Sequence, residues 1–352
     1  MYHSLASAFY CAGQSEGLAI RSFAHARTAL KVGLDALGLE PGDGVLLPEH
    51  ICEVVLHPLA QRGLAHRFYC QGEDLTPDWS ALEASLQPRD RALLMLHYFG
   101  QPQDIARFRA FCDAHDLFLI EDNAHGHGGE VEAGMLGSFG DVGIASPRKI
   151  LGTAAGGLLW LRGVPTPAPR DLPRFPAGRI DSFRRSLVRR FPRPHQLLKR
   201  ALRSRPRYED PGAGRETPVS DLASDAVSQA ILDQTDWAAM RDLRQARHRA
   251  WQRYAEVRGL VSLYPELHRG ANPWCFAAYA SDAAEARDWC EWGWAQGFPI
   301  FHWPALPEAI VRQGGPPLER WHRLLAFSLN AGPPGGPGPR PVRHQSARTK
   351  TA

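Results

Sequence analysis

Apolar and polar positions along residues 20–161 predict a series of alternating helices and strands. The segment "RTALKVGLDALGL" has helical spacing, and "PGDGVLLP" then predicts a turn and a strand. "RALLMLHYFG" and "LFLIED" predict strands, and "DIARFRAFCDAHD" between them predicts a helix. "GDVGIAS" and "GGLLWL" close the series. Strands that alternate with helices are typical of a mostly parallel α/β sheet.

The same pattern divides the chain into four parts. Residues 1–161 are predicted to form a large α/β domain, and residues 162–218, rich in Pro and Arg, an insertion or linker. Residues 219–330 begin with a long helical pattern and are predicted to form a smaller α+β domain. The tail 331–352 has low complexity, and we expect it to be disordered.

Composition narrows the class of protein. The chain has 352 residues, of which 44% are hydrophobic, enough for one large domain or for a large and a small one. Its six cysteines are scattered without a CxxC pair, which fits a reducing cytosol better than a disulfide framework or a zinc site. No His, Cys and Asp set has metal-ligand spacing, so we expect no metal.

The charge and the chain start add two expectations. No apolar run approaches the roughly 20 residues of a membrane span. The N-terminal residues lack a basic region before their apolar ones, which argues against a signal peptide and favours a cytoplasmic protein. The net charge is only +4, and no phosphate-binding GxGxxG or GxxxxGK[ST] follows a strand. We expect no nucleic-acid partner.

Two side chains are candidates for chemistry. Asp122 ends the strand "LFLI", so its carboxylate is predicted to face the crevice at the carboxyl ends of the strands. The alternative is a helix cap or a loop carboxylate. Lys149 stands in a later loop, although most lysines are solvated surface groups. An amine and an anion are what pyridoxal 5'-phosphate requires, one for a Schiff base and one to keep its ring nitrogen protonated.

Several motifs extend this pair. "EDNAHGHGG" (121–129), "GSFGD" (137–141), Lys149 and the glycine pair 156–157 follow in order, and "HYFGQP" (97–102) precedes them. This combination resembles the DegT/DnrJ/EryC1/StrS family of pyridoxal-phosphate enzymes, which is best known for sugar aminotransferases. The resemblance covers residues 17–161 well and 219–330 loosely. It implies an α/β fold of the fold-type-I transferase class, with a smaller α+β C-terminal domain.

The resemblance assigns roles around the cofactor ring. Lys149 would form the Schiff base, Asp122 would pair with the pyridine nitrogen, and His125 stands where the family usually has Gln against the ring. His127 is predicted to be a structural hydrogen-bond partner, with a general base as the alternative.

Four further residues are assigned to the cofactor phosphate. Ala26 and Arg27 stand at the family's Gly-Thr turn, where a helix N-terminus would favour an anion. Arg27 would add a guanidinium, and Thr28 a hydroxyl donor. Ser146 is assigned as a phosphate ligand.

The implied function is an aminotransferase. The expected partners are an amino-acid donor, a keto acceptor such as a nucleotide-linked sugar, and a second copy of the chain in a homodimer. The alternatives are a non-catalytic or regulatory cofactor-binding homologue, and a pyridoxal-phosphate lyase or acyl-transfer enzyme. A sugar dehydratase of the family is disfavoured, because those proteins carry histidine in place of the lysine.

Three departures from the family pattern motivate the alternatives. Ser146 precedes Lys149 by three residues, whereas the usual form has five. Cys52 stands where many members stack an aromatic side chain on the ring, and we expect it to pack as a small apolar group. No GxNxR segment precedes the second domain, and "GRETPVSD" (214–221) holds that place. The later segment "GFPIFHWPALP" is interpreted as core, with His302 and Trp303 as candidates to face a substrate.

A basic segment, residues 180–207, is the last feature. It holds nine arginines and one lysine against one acid, Asp181, and Phe183, Leu187 and Phe191 share a helical face. One interpretation is an insertion whose apolar face packs on the large domain. The others are an interfacial helix at an anionic membrane and a clamp for a substrate diphosphate.

Overall fold

The computed structural model describes residues 18–165, 171–176, 220–336 and 338–339, together with 187–188, 191, 194, 198 and 210–212. Most of the basic segment 180–207, most of 214–221 and residues 340–352 lie outside the described residues.

A seven-stranded sheet forms the first part of the chain, with the strand order β1-β9-β8-β5-β4-β2-β3. The five strands from β3 to β8 in that order are parallel, which confirms the mostly parallel α/β sheet. β9 runs antiparallel to both β8 and β1. A separate hairpin, β6 and β7, lies between β5 and β8. The strands are β1 (Leu18–Phe23), β2 (Gly44–Pro48), β3 (Ala65–Tyr69), β4 (Asp90–Leu96), β5 (Phe118–Asn123), β6 (Glu130–Val131), β7 (Gly134–Met135), β8 (Val142–Ala145) and β9 (Gly157–Arg162).

Helices cover both faces of this sheet. In β4, Leu94 and Leu96 pack into one apolar cluster, whereas Leu93 and Met95 pack into another, because successive strand residues point to opposite faces. Continuous apolar strands are what burial on both faces requires. The helices are α1 (Ala26–Ala36), α2 (Leu56–Gln61), α3 (Trp79–Ala84), α4 (Ile105–Ala114) and α5 (Pro147–Leu151).

A four-stranded antiparallel sheet forms the second part, in the order β10-β11-β13-β12. The long helical pattern at its start is two helices, because the Asp236 carboxylate accepts a hydrogen bond from the N–H of Ala239 and begins a new helix there. The elements are α6 (Ala226–Asp233), α7 (Trp237–Glu256), β10 (Val261–Ser262), β11 (Cys275–Tyr279), α8 (Ala283–Gln296), β12 (Ile300–Phe301), α9 (Glu308–Gln313), α10 (Pro316–Arg323) and β13 (Leu324–Ser328).

A buried ion pair joins the two parts. Arg320 of α10 lies 3.0 Å from the Glu49 carboxylate, just after β2, and also donates a 2.6 Å hydrogen bond to the carbonyl of Gln71. Both charged side chains are buried, so their pairing fixes the last helix against the first sheet. The start of the predicted tail is also held, since Trp251 donates to the carbonyl of Ala331.

Strand register brings several chain segments to one edge of the large sheet. Asp122 of β5 pairs with Ile144 of β8, and Gly157 of β9 pairs with Phe23 of β1. The carboxyl ends of β1, β5 and β8 therefore meet at this edge, where α1 and α5 also begin.

None of the described helices combines the length and apolar composition that a membrane crossing requires.

Candidate active site

A cavity lies at this edge of the sheet. Six of the seven side chains assigned from the sequence line it: Ala26, Arg27, Asp122, His125, Ser146 and Lys149. His25, Cys52, Arg148 and Trp303 line it as well. Among the described residues that line the cavity, Asp122 is the acidic one, and Arg27, Arg148 and Lys149 are basic. Such a cavity suits a ligand with both an anionic and a cationic part.

Asp122 is almost completely buried, with 4% of its surface exposed. Its carboxylate accepts a 2.8 Å hydrogen bond from the N–H of Ala124. Burial raises the pKa of this carboxyl, while the Ala124 N–H and the nearby charge of Lys149 oppose the rise. A buried carboxylate in this state favours a cationic N–H partner.

The neighbouring acid, Glu121, has a structural role, because its carboxylate holds a nearby loop. Its carboxylate accepts hydrogen bonds from three backbone N–H groups of the loop 137–140, at 2.6 to 3.0 Å. It also lies 2.8 Å from Nε2 of His97, whose Nδ1 accepts from the N–H of Gln103. Nε2 therefore carries the proton. Because strand residues alternate in direction, Glu121 fixes this loop on one face while Asp122 faces the cavity.

Lys149 is placed by a short helix that begins directly after β8. Ser146 is the N-cap of α5 and Pro147 its first residue, and Gly152 ends it in the left-handed conformation with φ of 65°. The Lys149 Nζ lies 4.8 Å from the ring centroid of Trp274 and 5.5 Å from that of Trp303. The compact turn thus still delivers the lysine into the cavity.

His125 is a neutral aromatic surface at the same place. Its Nδ1 accepts a 3.2 Å hydrogen bond from the N–H of Phe99, so the proton sits on Nε2. Burial lowers the pKa of His125 well below its ordinary value, and the charge of Lys149 adds to this. Its ring centroid lies 4.3 Å from Trp303 and 4.7 Å from Trp274.

The N-terminus of α1 also lines the cavity, through His25, Ala26 and Arg27. Its N-cap residue, His25, makes no side-chain cap hydrogen bond, so the positive end of the helix dipole is available to a ligand anion. Gly157 of β9 passes close by. A Cβ there would lie 2.1 Å from the carbonyl carbon of His25 and 2.4 Å from the N of Ala26. Glycine at 157 is therefore required for this turn to sit on the strand.

Thr28 departs from the expectation drawn from the sequence. It lies outside the cavity lining and is fully buried, and its hydroxyl donates a 2.8 Å hydrogen bond to the carbonyl of Ser220. Successive residues of a helix are turned by about 100°, so the face of α1 that carries Thr28 packs toward 220 rather than the cavity. The Thr28 hydroxyl is therefore not placed to bind a phosphate in this cavity.

Sequence reasoning missed two residues at the site. Arg148 lines the cavity beside Lys149, and Trp274 meets the lysine from the second sheet. Trp274 carried no usable signal, because an aromatic residue before a strand is usually core.

His127 lies in the interior, where burial lowers its pKa to about 3 and its backbone carbonyl accepts a hydrogen bond from the Asn272 side chain.

These residues fit pyridoxal 5'-phosphate. The buried Asp122 carboxylate suits a pyridinium N–H, the N-terminus of α1 with Arg27 suits a phosphate, and Lys149 suits the aldehyde carbon. No group of three His, Cys, Asp or Glu side chains in the described part of the chain could hold a metal ion.

Comparison with known proteins agrees with this geometry. The model of the DegT/DnrJ/EryC1/StrS aminotransferase family matches residues 11–163. The GDP-perosamine synthase of Vibrio cholerae is 31% identical over 134 residues, which cover 37% of this chain and 36% of that protein. The dTDP-3-amino-3,4,6-trideoxy-alpha-D-glucose transaminase of Streptomyces venezuelae is 33% identical over 145 residues, covering 40% and 38%. The chain thus spans little more than a third of the length of these curated relatives.

A solved structure extends the likeness over the fold. The aminotransferase TlmJ from Streptoalloteichus hindustanus superposes with a TM-score of 0.62 at 21% identity, covering 88% of this chain and 80% of that one. The fold is therefore that of fold-type-I aminotransferases. The sequence likeness to the DegT/DnrJ/EryC1/StrS aminotransferase family is thus carried by residues 11–163, and the likeness of the fold extends over 88% of the chain.

Proposed function

We propose that the protein is a pyridoxal-phosphate-dependent aminotransferase that moves an amino group from an amino acid to a nucleotide-linked keto sugar. One observation carries the proposal: the Lys149 amine and the buried Asp122 carboxylate line the same cavity as the N-terminus of α1. An amine, an anion and an anion-binding helix end are the three groups that this cofactor needs.

When bound, pyridoxal phosphate supplies an electron sink and a carrier for the amino group. Asp122 holds the proton on the pyridine nitrogen. The first turn of α1 and the Arg27 guanidinium bind the phosphate. The Lys149 amine moves the proton to and from the α-carbon of the donor. His125 packs its neutral ring against the site and excludes water.

The acceptor class is supported by the relatives. Several relatives are named for sugars carried by a nucleotide, as GDP-perosamine synthase and the dTDP-amino-sugar transaminase are, whereas another is named for 2-deoxy-scyllo-inosose. The aligned part is the part that carries Lys149 and Asp122. The donor is an amino acid, and the acceptor a keto sugar on a nucleoside diphosphate.

The test uses the cofactor-loaded protein in two half-reactions. Single amino acids are added, and the bound cofactor's absorbance is followed for conversion to the pyridoxamine form. Converted protein is then mixed with GDP- or dTDP-linked 4-keto sugars, and the amino sugar is identified by mass spectrometry. We expect one or a few donors to react. Lys149→Ala abolishes the conversion, and Lys31→Ala, at a surface lysine paired with Asp221, preserves it.

Each outcome has a meaning for the alternatives. Absence of conversion by any amino acid, with the cofactor bound, contradicts the proposal and favours a regulatory homologue. Release of carbon dioxide or of a β-substituent from the donor favours a lyase, and acyl-thioester consumption favours an acyl-transfer enzyme.

We also propose a homodimer, because the family resemblance implies one and closed two-fold assemblies are the commonest. Light scattering of the loaded protein is expected to give twice the 39.0 kDa chain mass. A monomer with cofactor still bound contradicts this.

A further inference from the structure

Two tryptophans from the second part of the chain form a corner around the Lys149 amine. Trp274 precedes β11 and Trp303 follows β12, and their ring centroids lie 6.0 Å apart with the planes at 80°. The Lys149 Nζ lies over both rings, at 4.8 and 5.5 Å from the centroids. Both distances are within the range of a cation–π interaction.

The corner is held in shape by its neighbours. The Phe99 ring lies parallel to that of Trp274, at 8° and 6.4 Å, and the Phe99 carbonyl accepts a 2.9 Å hydrogen bond from the N–H of Trp274. Phe99 itself has a positive φ of 53°, a costly conformation for a phenylalanine. The carbonyl of Trp303 accepts a 3.0 Å hydrogen bond from Nε2 of His50. Two rings fixed by packing, hydrogen bonds and backbone strain form a preorganised surface.

The electrostatics of the corner select for a cation. Burial lowers the pKa of the adjacent His125 and His50, so both rings are neutral and do not compete with an ammonium group. The faces of the two indoles carry negative quadrupole charge, and both side chains are partly buried.

We propose that the Trp274–Trp303 corner is an ammonium-binding subsite, which holds the Lys149 amine when that amine is not bonded to the cofactor. If the proposed function holds, Lys149 would be bonded to the cofactor when the donor arrives, and the subsite would then be open to the amino group of the donor. When the donor's nitrogen replaces that of Lys149 on the cofactor, the released Lys149 amine would return to the subsite. The two tryptophans are positioning residues that recognise a primary ammonium group.

The test vacates the subsite and fills it with a small probe. Cofactor-free Lys149→Ala is titrated with methylammonium and ethylammonium chloride at constant ionic strength, and tryptophan fluorescence is recorded. We expect a saturable change in the variant and none in the wild-type protein, where Lys149 occupies the corner.

Three further variants separate recognition from folding. In the Lys149→Ala background, Trp303→Leu is expected to weaken methylammonium binding about tenfold, whereas Trp303→Phe keeps most of it because an aromatic face remains. Trp292→Phe, in the second sheet's helix layer away from the cavity, should leave it unchanged. Circular dichroism confirms that each variant is folded.

Either of two results overturns the inference. One is a Lys149→Ala protein that shows no saturable response to the amines. The other is equal binding with Leu and Phe at position 303. Because the titration contains neither cofactor nor keto acceptor, its result is independent of the proposed reaction. For the donor role, Trp303→Leu should raise the KM for the donor more than it lowers kcat.

Discussion

The buried carboxylate of Asp122 is expected to lower the stability of the cofactor-free protein, and the proposed reaction requires that carboxylate. Burial raises the pKa of Asp122 and disfavours its ionised form, and the Ala124 N–H and the Lys149 charge compensate for this in part. A pyridinium N–H would complete that compensation. The folded protein without cofactor therefore carries an electrostatic cost that the loaded protein does not.

Asp122→Asn is expected to lower turnover about a hundredfold or more while the cofactor stays bound, because an amide cannot hold the ring nitrogen protonated. The control is Asp104→Asn, whose carboxylate caps α4 away from the cavity and whose replacement can still cap. Steady-state rates and cofactor absorbance measure both. Near-normal turnover of Asp122→Asn would show that Asp122 acts only as a cap for Ala124.

The same variant should raise the stability of the cofactor-free protein at pH 7. Because the pKa of Asp122 is raised in the folded state, its ionisation destabilises the fold as pH rises above about 4. The gain from Asn should shrink as the pH is lowered. Urea unfolding at half-unit steps of pH from 7 to 4.5 measures it, and a loss of stability at pH 7 would contradict the sign.

At the scale of elements, the approach of β9 to the start of α1 positions the end of the cavity where we propose that the cofactor phosphate binds. Gly157→Ala would place a methyl group against the backbone of His25 and Ala26, so the turn must move. We expect a cost of about 1–3 kcal/mol in unfolding free energy and cofactor affinity reduced at least tenfold. Chemical denaturation and a cofactor titration measure the two effects.

A matched glycine separates this clash from the loss of glycine as such. A Cβ at Gly332 would meet nothing within 4 Å, so Gly332→Ala should change stability by less than about 0.5 kcal/mol. Equal behaviour of the two variants would argue that the strand and the helix start are independent.

The sequence predicted the helices and strands that have a strong hydrophobic periodicity. It did not predict strand direction or helix boundaries, which depend on contacts with distant parts of the chain. "LFLIED" became β5, and "GGLLWL" became β9. The antiparallel direction of β9 was not predicted, because a strand's apolar pattern is the same in either direction. The segment "HICEVVLHPLAQRG" (50–63) has a helical pattern throughout, but its α-helix begins only at Leu56, after a short 3₁₀ turn, because a helical pattern does not fix its own N-terminus.

Site residues that lie within a sequence motif could be predicted, whereas residues whose contacts are distant along the chain could not. The motifs around Asp122 and Lys149 placed both in one cavity, with His125 and Ser146. The hydroxyl of Thr28 was misassigned because its partner is the backbone of Ser220, nearly 200 residues away. Contacts of this range depend on packing rather than on local pattern.

For the whole molecule, several histidines buried in the neutral form predict sensitivity to acid. Burial lowers the pKa of three of them from 6.5 to about 3 or 4; these are His50, His127 and His248. The unfolded chain takes up these protons below about pH 6.5, so stability is present above that pH and lost as pH falls. Each histidine contributes about 1.4 kcal/mol per pH unit.

Because domains are stable by only about 5–15 kcal/mol, we expect unfolding between pH 6.5 and 4. Asp122 acts in the opposite direction and partly offsets the loss. Urea midpoints measured at half-unit steps of pH test this. A midpoint that stays constant down to pH 4.5 would contradict it.

The basic segment 180–207 presents apolar residues to solvent where the structure describes it. Leu187, Phe191 and Leu198 are 47%, 50% and 58% exposed, and the Phe191 N–H donates to the Leu187 carbonyl as in a helix. These exposures favour an interfacial surface over an insertion packed on the large domain.

We expect the protein to co-sediment with anionic liposomes at low salt and to be released at high salt, with about 1 kcal/mol from each basic residue near the surface. Replacing residues 183–191 by a neutral polar segment should abolish binding. Replacing the exposed Val257 and Val261 by Thr is the control. No binding at low salt would leave an insertion packed on the large domain, or a diphosphate clamp, as the role of this segment.

The tryptophan corner affects when the chain first becomes able to hold its cofactor. Every strand of the seven-stranded sheet has been synthesised once residue 162 has left the ribosome, and Asp122 and Lys149 are then in place. Trp303 follows 154 residues after Lys149, and Arg320 later still. Chains lengthen by roughly 5–20 residues per second, so an incomplete cavity persists for many seconds. If the proposed function holds, nascent chains carry a half-built site during this time, and we expect tight cofactor capture only by chains that have been translated almost to the end.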